Sequence, residues 1–348
     1  MPRVNPASLT LSDYAMLHHN QQLLPMIQEV ETSVTLLNTI PFKEASDTLE
    51  DVTGIKGDIP YATWVGLDKG VKANKGNWDQ RKEGLANLES LAEFNRKVQK
   101  IAPNAEVARW ENDQGHIEGM AQTAEKGILY GNPYSDPNQP LGIFPRFSLL
   151  TDRHGIYTLG SKEKQADYVT IDAGGGSSAD GKMSSIILMA YGAGTPRLLY
   201  PRYSKDIGMA MDLGTRWDWV TDTEGGSREI LRDHFQWMLG LSIADRKTVV
   251  RIANIDTTDT TCLTGLTKKI FEAFTVFKPQ HRGSVRMFTT SEVILQLRGL
   301  RDSEKRANVF TERDTSPKNL YNPIDFGGYV LEECYNMLDT EDRLVATT

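Results

Sequence analysis

The sequence predicts an α+β protein, and three stretches support that prediction. Residues 104–130 place apolar side chains at alternating intervals of three and four, which is the spacing of one helix face. Residues 235–243 alternate strictly between apolar and other side chains, which is the spacing of a strand with one buried face. A helix, a strand and a second helix are predicted between residues 263 and 300. Both types of element are therefore expected in one chain.

The long predicted strand has a clear buried face, which consists of Phe235, Trp237, Leu239, Leu241 and Ile243. Charged residues at 245–247 interrupt the pattern, and the β-branched segment 248–252 resumes it. From the pattern alone, the two strands are expected to form an ordinary hairpin. Trp217, Trp219 and Trp237 are expected to pack in the core, because aromatic side chains bury large areas.

Length and composition are typical of a soluble globular protein with one large or two modest domains. The 348 residues are 39% hydrophobic and 24% charged, and the formal net charge is −7. No apolar run approaches the roughly 18 residues of a membrane-spanning helix, and the first residues lack the apolar core of a signal peptide. Cys262 and Cys334 lie far apart without CxxC spacing. They predict neither a disulfide framework nor a zinc site, and they suit synthesis in a reducing cytoplasm.

Residues 1–40 are predicted to contain helices. Ser12 or Asp13 is a suitable N-cap for a short helix, and Pro25 suits the start of a second one. The second helix has apolar residues at helical spacing, namely Ile27, Val30, Val34 and Leu37. A helical hairpin packed on its own domain and an arm that leaves the domain both fit this pattern.

Residues 41–93 are punctuated by glycine and proline, which favours short extended pieces. Residues 61–65 are predicted to form one strand, and the segment after Trp78 is predicted to be its return strand. This region is too extended and too polar to bury a core alone. Its basic residues cluster, and two interpretations remain open: a solvated hairpin tip, or a patch that pairs with acidic groups on a neighbouring molecule.

One stretch resembles a phosphate-binding loop. Residues 176–183 match the pattern G-x-x-x-x-G-K, but Met183 stands where the mechanism needs a Ser or Thr hydroxyl to hold magnesium. The mechanism also needs a helix to begin at the lysine, whereas residues 186–189 are apolar and predict a buried strand. A flexible glycine–serine loop is the favoured interpretation.

No other catalytic or metal-binding motif stands out. The six histidines lie outside HExxH, nucleophile-elbow and triad-like local patterns. Asp113 and His116 share a face of the predicted helix, but no second His–carboxylate pair has matching spacing, so a surface or capping role is favoured. The sequence therefore predicts no catalytic residue, no cofactor and no metal site, and the protein is not expected to be an enzyme.

An ordered set of short motifs resembles a known protein family. The motifs occupy residues 184–188, 191–192, 198–202, 208–214 and 237–256. Their order is similar to that in the major capsid proteins of short-tailed and related phages, which have the HK-97-like fold. The resemblance extends from about Leu11 to about Arg343. It is weakest at both ends and between residues 142 and 178.

The resemblance implies how the chain is divided. Its parts are an N-terminal arm (1–40), an extended β-hairpin loop (41–93), a peripheral domain (94–255) with a spine helix (104–130), an axial domain (256–320) and a C-terminal strand that returns to the body (321–348). In this family the arm and the loop reach across neighbouring subunits. The resemblance therefore implies inter-subunit contacts by Trp64, Lys69, Lys72, Lys75, Trp78 and Arg81.

The implied function is that of a major capsid protein in the virion. Such a protein self-assembles in the host cytoplasm into hexamers and pentamers of an icosahedral head, which encloses double-stranded DNA without sequence-specific binding. The net charge of −7 suits an inner wall that does not hold DNA tightly. The implied partners are copies of the chain, a portal protein and a scaffolding protein, with no membrane, while a cement or decoration protein is left open. The alternatives are an encapsulin-like nanocompartment shell and a P-loop-like nucleotide-binding enzyme.

Overall fold

The computed structural model describes most of the chain, namely residues 34–56, 60–76, 78–96, 105–150, 169–176, 182–192, 195–203, 210–211, 216–221, 227–304, 310–312, 324–326 and 329–345. The helices are α1 (Thr35–Thr39), α2 (Ala105–Tyr130), α3 (Ile143–Arg146), α4 (Thr260–Val276) and α5 (Ser291–Glu304). Short 3-10 helices occupy Arg246–Thr248 and Pro279–Ser284. The strands are β1 (Phe42–Glu44), β2 (Glu50–Lys56), β3 (Trp78–Gly84), β4 (Ala86–Asn95), β5 (Thr170–Asp172), β6 (Met183–Ala190), β7 (Arg197–Tyr200), β8 (Ala210–Met211), β9 (Arg216–Thr221), β10 (Ser227–Ser242), β11 (Val249–Asp256), β12 (Val285–Thr289), β13 (Phe310–Glu312), β14 (Ile324–Phe326) and β15 (Tyr329–Glu333).

The described strands form two large sheets and a two-stranded ribbon. In the first sheet, β1, β7, β10 and β4 are neighbours in that order, and β8 and β9 also pair with β10. In the second sheet the order is β13-β14-β15-β12-β6-β11-β5. The ribbon consists of β2 and β3. The α+β class predicted from the sequence is confirmed.

Strand β10 organises the first sheet. Its predicted buried face is confirmed, because Phe235, Trp237, Leu239, Leu241 and Ile243 are all buried. The strand pairs antiparallel with β4 along most of its length and then with β7 at its carboxyl end. A single strand therefore links the two halves of this sheet.

The hairpin predicted between β10 and the following strand is wrong. Strand β11 lies in the second sheet, between β5 and β6. The charged interruption forms a turn in which Thr248 N donates to Asp245 O at 3.1 Å and Lys247 N donates to Asp245 Oδ1 at 3.1 Å. All eight residues of β11 are buried, so its backbone groups need hydrogen-bond partners on both sides, which β5 and β6 supply inside the second sheet.

Helices cover both sheets. The predicted helix 104–130 is confirmed as α2, which packs on β4 and β10 through the buried residues Ile117, Ala121, Ala124 and Ile128. Helix α4 packs on β11, and Asp259 is its N-cap, because Asp259 Oδ1 accepts a hydrogen bond from Thr261 N at 2.8 Å. The predicted helix at residues 291–300 is likewise confirmed as α5.

The remaining sequence-based predictions have mixed outcomes. The N-terminal helix at Ser12 or Asp13 and the start at Pro25 lie outside the described residues, whereas Leu37 is buried in α1. Trp219 was expected to pack, but it is 67% exposed, because its side chain projects from a face of β9 that the described part of the chain leaves open. The side chain of Trp217 lies outside the described part.

Candidate assembly interface

Strands β2 and β3 form an antiparallel ribbon whose base lies on the first sheet. The register extends from Glu50 opposite Gly84 at the base to Lys56 opposite Trp78 at the far end. The strand predicted at residues 61–65 is wrong, because the segment after Trp78 pairs with Glu50–Lys56 instead. No described strand lies beside residues 61–65, so they have no ladder of hydrogen bonds to complete.

Residues 60–76, which we call the tip segment, lie beyond this ladder and contain no helix or strand. Trp64 and Leu67 are fully exposed, and Val71 is 73% exposed. Local hydrogen bonds shape the segment: Lys69 N donates to Gly66 O at 3.0 Å, and the side-chain amide of Asn74 donates to Tyr61 O. Large apolar side chains grouped on one exposed segment indicate a binding surface.

The structure separates the six candidate contact residues into two groups. Trp64, Lys69, Lys72 and Lys75 all lie in the exposed tip segment. Trp78 begins β3, and its side chain lies outside the described part. Arg81 faces the body of its own subunit, where its Nη1 donates to Ile243 O at 3.2 Å. Sequence reasoning had grouped Arg81 with the lysines, because a basic cluster does not indicate which side chains point outward.

Two buried carboxylates lie directly opposite each other at the base of the ribbon. Asp51 on β2 and Glu83 on β3 are register partners, and both side chains are buried. Like charges opposite each other in a sheet are destabilising, so each needs a counter-charge. Lys43 Nζ lies 2.8 Å from Asp51 Oδ2. Arg146 binds Glu83 with both terminal nitrogens, at 2.6 Å from Oε1 and 2.7 Å from Oε2.

The carboxyl end of β10 supplies further contacts to the same place. Ser242 Oγ donates to Asp51 Oδ2 at 3.1 Å, and Arg146 Nη2 donates to Leu241 O at 3.0 Å. Burial tends to raise the pKa of Asp51, but the hydrogen bonds and the charge of Lys43, with the hydrogen bond from Ser242, hold the pKa below its ordinary value. Asp51 is therefore ionised over the physiological range.

We call Lys43, Asp51, Glu83, Arg146 and Ser242 the base cluster. Sequence analysis missed all five residues. They come from five separate elements, and single charged or polar residues carry no periodic signal. Only the tertiary contact shows that these charges are buried.

Gly240 allows the base of the ribbon to approach β10 closely. A Cβ atom on Gly240 would lie 2.7 Å from Gly84 O and 3.3 Å from Leu85 Cα. Both of these are backbone atoms, which cannot rotate away as a flexible side chain would. The ribbon base therefore lies directly against β10, and only glycine fits at this position without a shift.

The two other motifs do not assemble a chemical site. Residues 177–181 of the phosphate-loop pattern lie outside the described part, but β6 begins at Met183, where that motif needs a helix. His116 Nδ1 lies 2.8 Å from Ser90 Oγ, which is a hydrogen bond between α2 and β4. Across the described residues, no group of three or more His, Cys, Asp or Glu side chains could hold a metal ion. The described helices also include none that is long and apolar enough to cross a membrane.

Comparison with solved structures gives the class of fold, which is the HK-97-like fold of phage capsids. The capsid chain of bacteriophage Epsilon15 superposes with a TM-score of 0.64 at 20% identity, covering 89% of each chain. The bacteriophage JBD30 capsid chain gives a TM-score of 0.50 at 9% identity, covering 87% of this chain and 91% of that one. A search of curated proteins finds no match.

The particular family follows from the sequence. Residues 19–345 match the family model described as Major capsid protein GP7. The chain belongs to this family and is a major capsid protein of a phage virion. The resemblance inferred from the motif order is thereby confirmed, and the family is one of structural capsid proteins.

Proposed function

We propose that this chain self-assembles into the hexamers and pentamers of an icosahedral phage head that encloses double-stranded DNA. The observation that carries the proposal is the tip segment, whose apolar side chains are exposed on the subunit that makes them. Burying a side chain of the size of Trp64, Leu67 or Val71 on a neighbour contributes about 1.5–3 kcal/mol. Because closed symmetry repeats the same contact many times, a modest gain for each subunit stabilises the whole shell.

The charges of the tip segment suit a contact with another copy of the same chain. Lys69, Lys72 and Lys75 are exposed beside the apolar residues, while the whole chain has a net charge of −7. Basic side chains at the rim of an apolar contact increase the rate of association and fix the orientation of the two subunits more than they increase the affinity. We include Trp78 and Arg81 in the same proposed interface, because β3, which contains both, connects the tip segment to the body.

The proposed division of the chain follows the HK-97-like fold. Residues 1–40 are the arm, 41–93 the extended loop, 94–255 the peripheral domain with α2 as its spine, 256–320 the axial domain and 321–348 the returning strand. Helix α4, strand β12 and helix α5 supply the helix–strand–helix order proposed for the axial part. Strand β12 shares a sheet with β6 and β11, so the proposed axial and peripheral parts meet within one hydrogen-bonded sheet.

Further partners complete the proposal. A portal protein occupies one vertex, a scaffolding protein guides assembly in the host cytoplasm, and packaged DNA is enclosed without sequence-specific binding. The proposal leaves open whether a decoration protein binds the outer surface of the shell. The proposed role is mechanical and requires no catalysis.

The tip segment is tested by a double substitution, Trp64→Ala with Leu67→Ser, in the full chain. The matched control is Tyr134→Ala, since Tyr134 is an exposed aromatic residue outside the ribbon. Size-exclusion chromatography and negative-stain electron microscopy measure the fraction of protein in shells. The double variant should lose shells and remain as folded small species, and the control should assemble. Normal shell yield from the double variant would remove the proposed role of the tip.

The enclosed DNA is tested on particles from infected cells. Nuclease treatment before disruption should leave double-stranded DNA of uniform length inside the shells. A nanocompartment shell would instead retain a cargo protein and no protected DNA, and that result would support the encapsulin-like alternative.

A further inference from the structure

We propose that the base cluster is a positioning site: it fixes the direction in which the β2–β3 ribbon leaves the body and so aims the tip segment at a neighbouring subunit. This inference rests on the proposed function of the tip. It adds a role for Lys43, Asp51, Glu83, Arg146 and Ser242, none of which belongs to the contact surface itself. These residues act through the ribbon, because they lie at its base and the tip lies beyond its far end.

The chemistry of the cluster favours orientation over stability. Taking charges out of water is costly, and apolar residues of similar volume often stabilise a buried site at least as well as an ion pair. An arginine–carboxylate fork, in contrast, has a defined plane and direction. Arg146 is itself fixed, because Nη2 donates to Leu141 O at 3.0 Å and to Leu241 O at 3.0 Å. The Glu83 carboxylate is thereby held in one orientation relative to the body.

The ribbon is attached at two points, one on each strand. Asp51 on β2 contacts Lys43 of β1 and Ser242 of β10. Glu83 on β3 contacts Arg146 of α3. A single ionic contact would leave a pivot about which the ribbon could turn. Two contacts on opposite strands, to groups from different elements of the body, remove that freedom.

A third contact aligns the ribbon with β10. Arg81 Nη1 donates to Ile243 O, so the consecutive residues 241–243 each bind the ribbon or its counter-ion. Gly240, the preceding residue, has no Cβ atom and so leaves room for the backbone of Gly84 to lie close to β10. The end of β10 therefore serves as the reference against which the ribbon is oriented.

The test is a distance measurement between spin labels in the full chain. Gly54→Cys in β2 and Thr123→Cys in α2 place labels at exposed positions on the ribbon and the body, and a Cβ at Gly54 meets no atom within 4 Å. The native cysteines, Cys262 and Cys334, are buried and do not compete for the label. Double electron–electron resonance is recorded on dilute subunits and on shells with a minority of labelled chains.

The central variant is Glu83→Leu with Arg146→Met, which removes both partners so that no buried charge is left unpaired. The control is Glu50→Gln with Lys82→Gln, which removes an exposed ion pair of 3.3 Å within the same ribbon. A second test variant, Lys43→Gln with Asp51→Asn, removes the other attachment point and covers the case in which the first variant does not fold. Circular dichroism and thermal melting identify the folded variants.

The proposal expects a distance distribution about twice as wide in the folded test variants, together with a loss of shells, and no change in the control. A distribution as narrow as that of the unsubstituted protein in every folded test variant overturns it. Trp64→Ala in a chain with an intact base cluster separates the two proposals. This variant should lose shells while its distance distribution stays narrow. If it assembles normally, the proposed role of the tip segment fails. The width of the distance distribution in the base-cluster variants still tests the base cluster in that case.

Discussion

Arg251 and Glu341 form a buried ion pair, with 2.8 Å between Nη2 and Oε2. The pair joins β11, an interior strand of the second sheet, to the segment that follows β15. Glu341 Oε2 also accepts a hydrogen bond from Ser185 Oγ at 2.5 Å, and Oε1 accepts one from Tyr130 OH at 2.9 Å. The Arg251 guanidinium lies 4.3 Å from the centre of the Phe144 ring. Residues from α2, β6 and β11 therefore meet at one carboxylate, and Phe144 of α3 packs against the guanidinium of Arg251.

Loss of one partner of this pair should be strongly destabilising. Glu341→Leu leaves the Arg251 charge buried without its counter-ion, and we expect the free energy of unfolding to fall by about 3–5 kcal/mol. The measurement is denaturant unfolding of the unassembled subunit.

The matched control replaces both partners, as Arg251→Met with Glu341→Leu. Because this variant buries no charge, it should recover most of the lost stability. A single variant as stable as the unsubstituted protein would contradict the role assigned to the pair.

Glu125 gives stability a defined dependence on pH. Its buried carboxylate accepts a hydrogen bond from Leu36 N at 2.7 Å and another from the Asn336 side chain. Burial raises the pKa of Glu125 above its ordinary value, although these hydrogen bonds oppose the shift. The native state thus holds the proton more tightly than the unfolded state, and this group's contribution to stability falls as pH rises from the ordinary glutamate pKa through the raised native pKa.

Glu125→Gln should remove this contribution while it keeps the shape of the side chain. Relative to the unsubstituted protein, we expect the variant to gain stability with rising pH in that window, by at most about 1.4 kcal/mol per pH unit. Urea unfolding at a series of pH values measures the difference. If the difference in unfolding free energy between the two proteins is constant with pH, or changes with the opposite slope, the pKa of Glu125 is not raised.

Gly240→Ala should disturb the ribbon base. The added Cβ would lie 2.7 Å from Gly84 O, so one backbone must shift, and we expect a loss of about 1–3 kcal/mol. Hydrogen exchange should show faster exchange of amides in β3 and at the end of β10.

Gly265→Ala is the control for this substitution. Gly265 lies in α4, and a Cβ there meets no atom within 4 Å. Because alanine is the better helix former, this variant should be as stable as the unsubstituted protein or more stable by up to about 1 kcal/mol. If both glycine variants behave alike, the close approach at Gly240 is not the cause.

Two tryptophans of the first sheet should respond in opposite ways to truncation. Trp237 is buried, and Trp237→Ala should cost about 3–5 kcal/mol in unfolding free energy. Trp219 is 67% exposed, and Trp219→Ala should change the stability of the unassembled subunit by no more than about 0.5 kcal/mol. Equal losses at the two positions would contradict the burial of β10 described above.

The sequence predicts those parts of the fold in which local periodicity and burial coincide. The alternation from Phe235 to Ile243 and the helical stripe through Ile117 and Ile128 are regular, and each occurs in the predicted element. The pairing of β10 with β4 and β7 is not local, and no spacing within β10 specifies it. Trp219 was misjudged for the same reason, because its exposure depends on which distant parts of the chain cover that face of β9.

The candidate site divides in the same way. The tip segment was recognisable, since glycines and lysines around Trp64 predict an extended polar region. The base cluster was not, because Asp51 and Glu83 are ordinary charged residues until the ribbon places them opposite each other on the body. Burial of a charge is a tertiary property, and sequence patterns record only the average preference of charged residues for the surface.

The position of Glu341 also has a consequence for protein synthesis. A ribosome completes the ribbon, which ends at Gly84, more than 250 residues before it reaches Glu341, and it makes β12 about 40 residues before the partner strand β15. Until Glu341 is made, the charge of Arg251 has no carboxylate partner from that segment, so the second sheet of the nascent chain lacks this buried ion pair. The second sheet of a chain still under translation is therefore unfinished, and its exposed apolar surface and unpaired strand edges favour non-specific association until the segment around Glu341 is made.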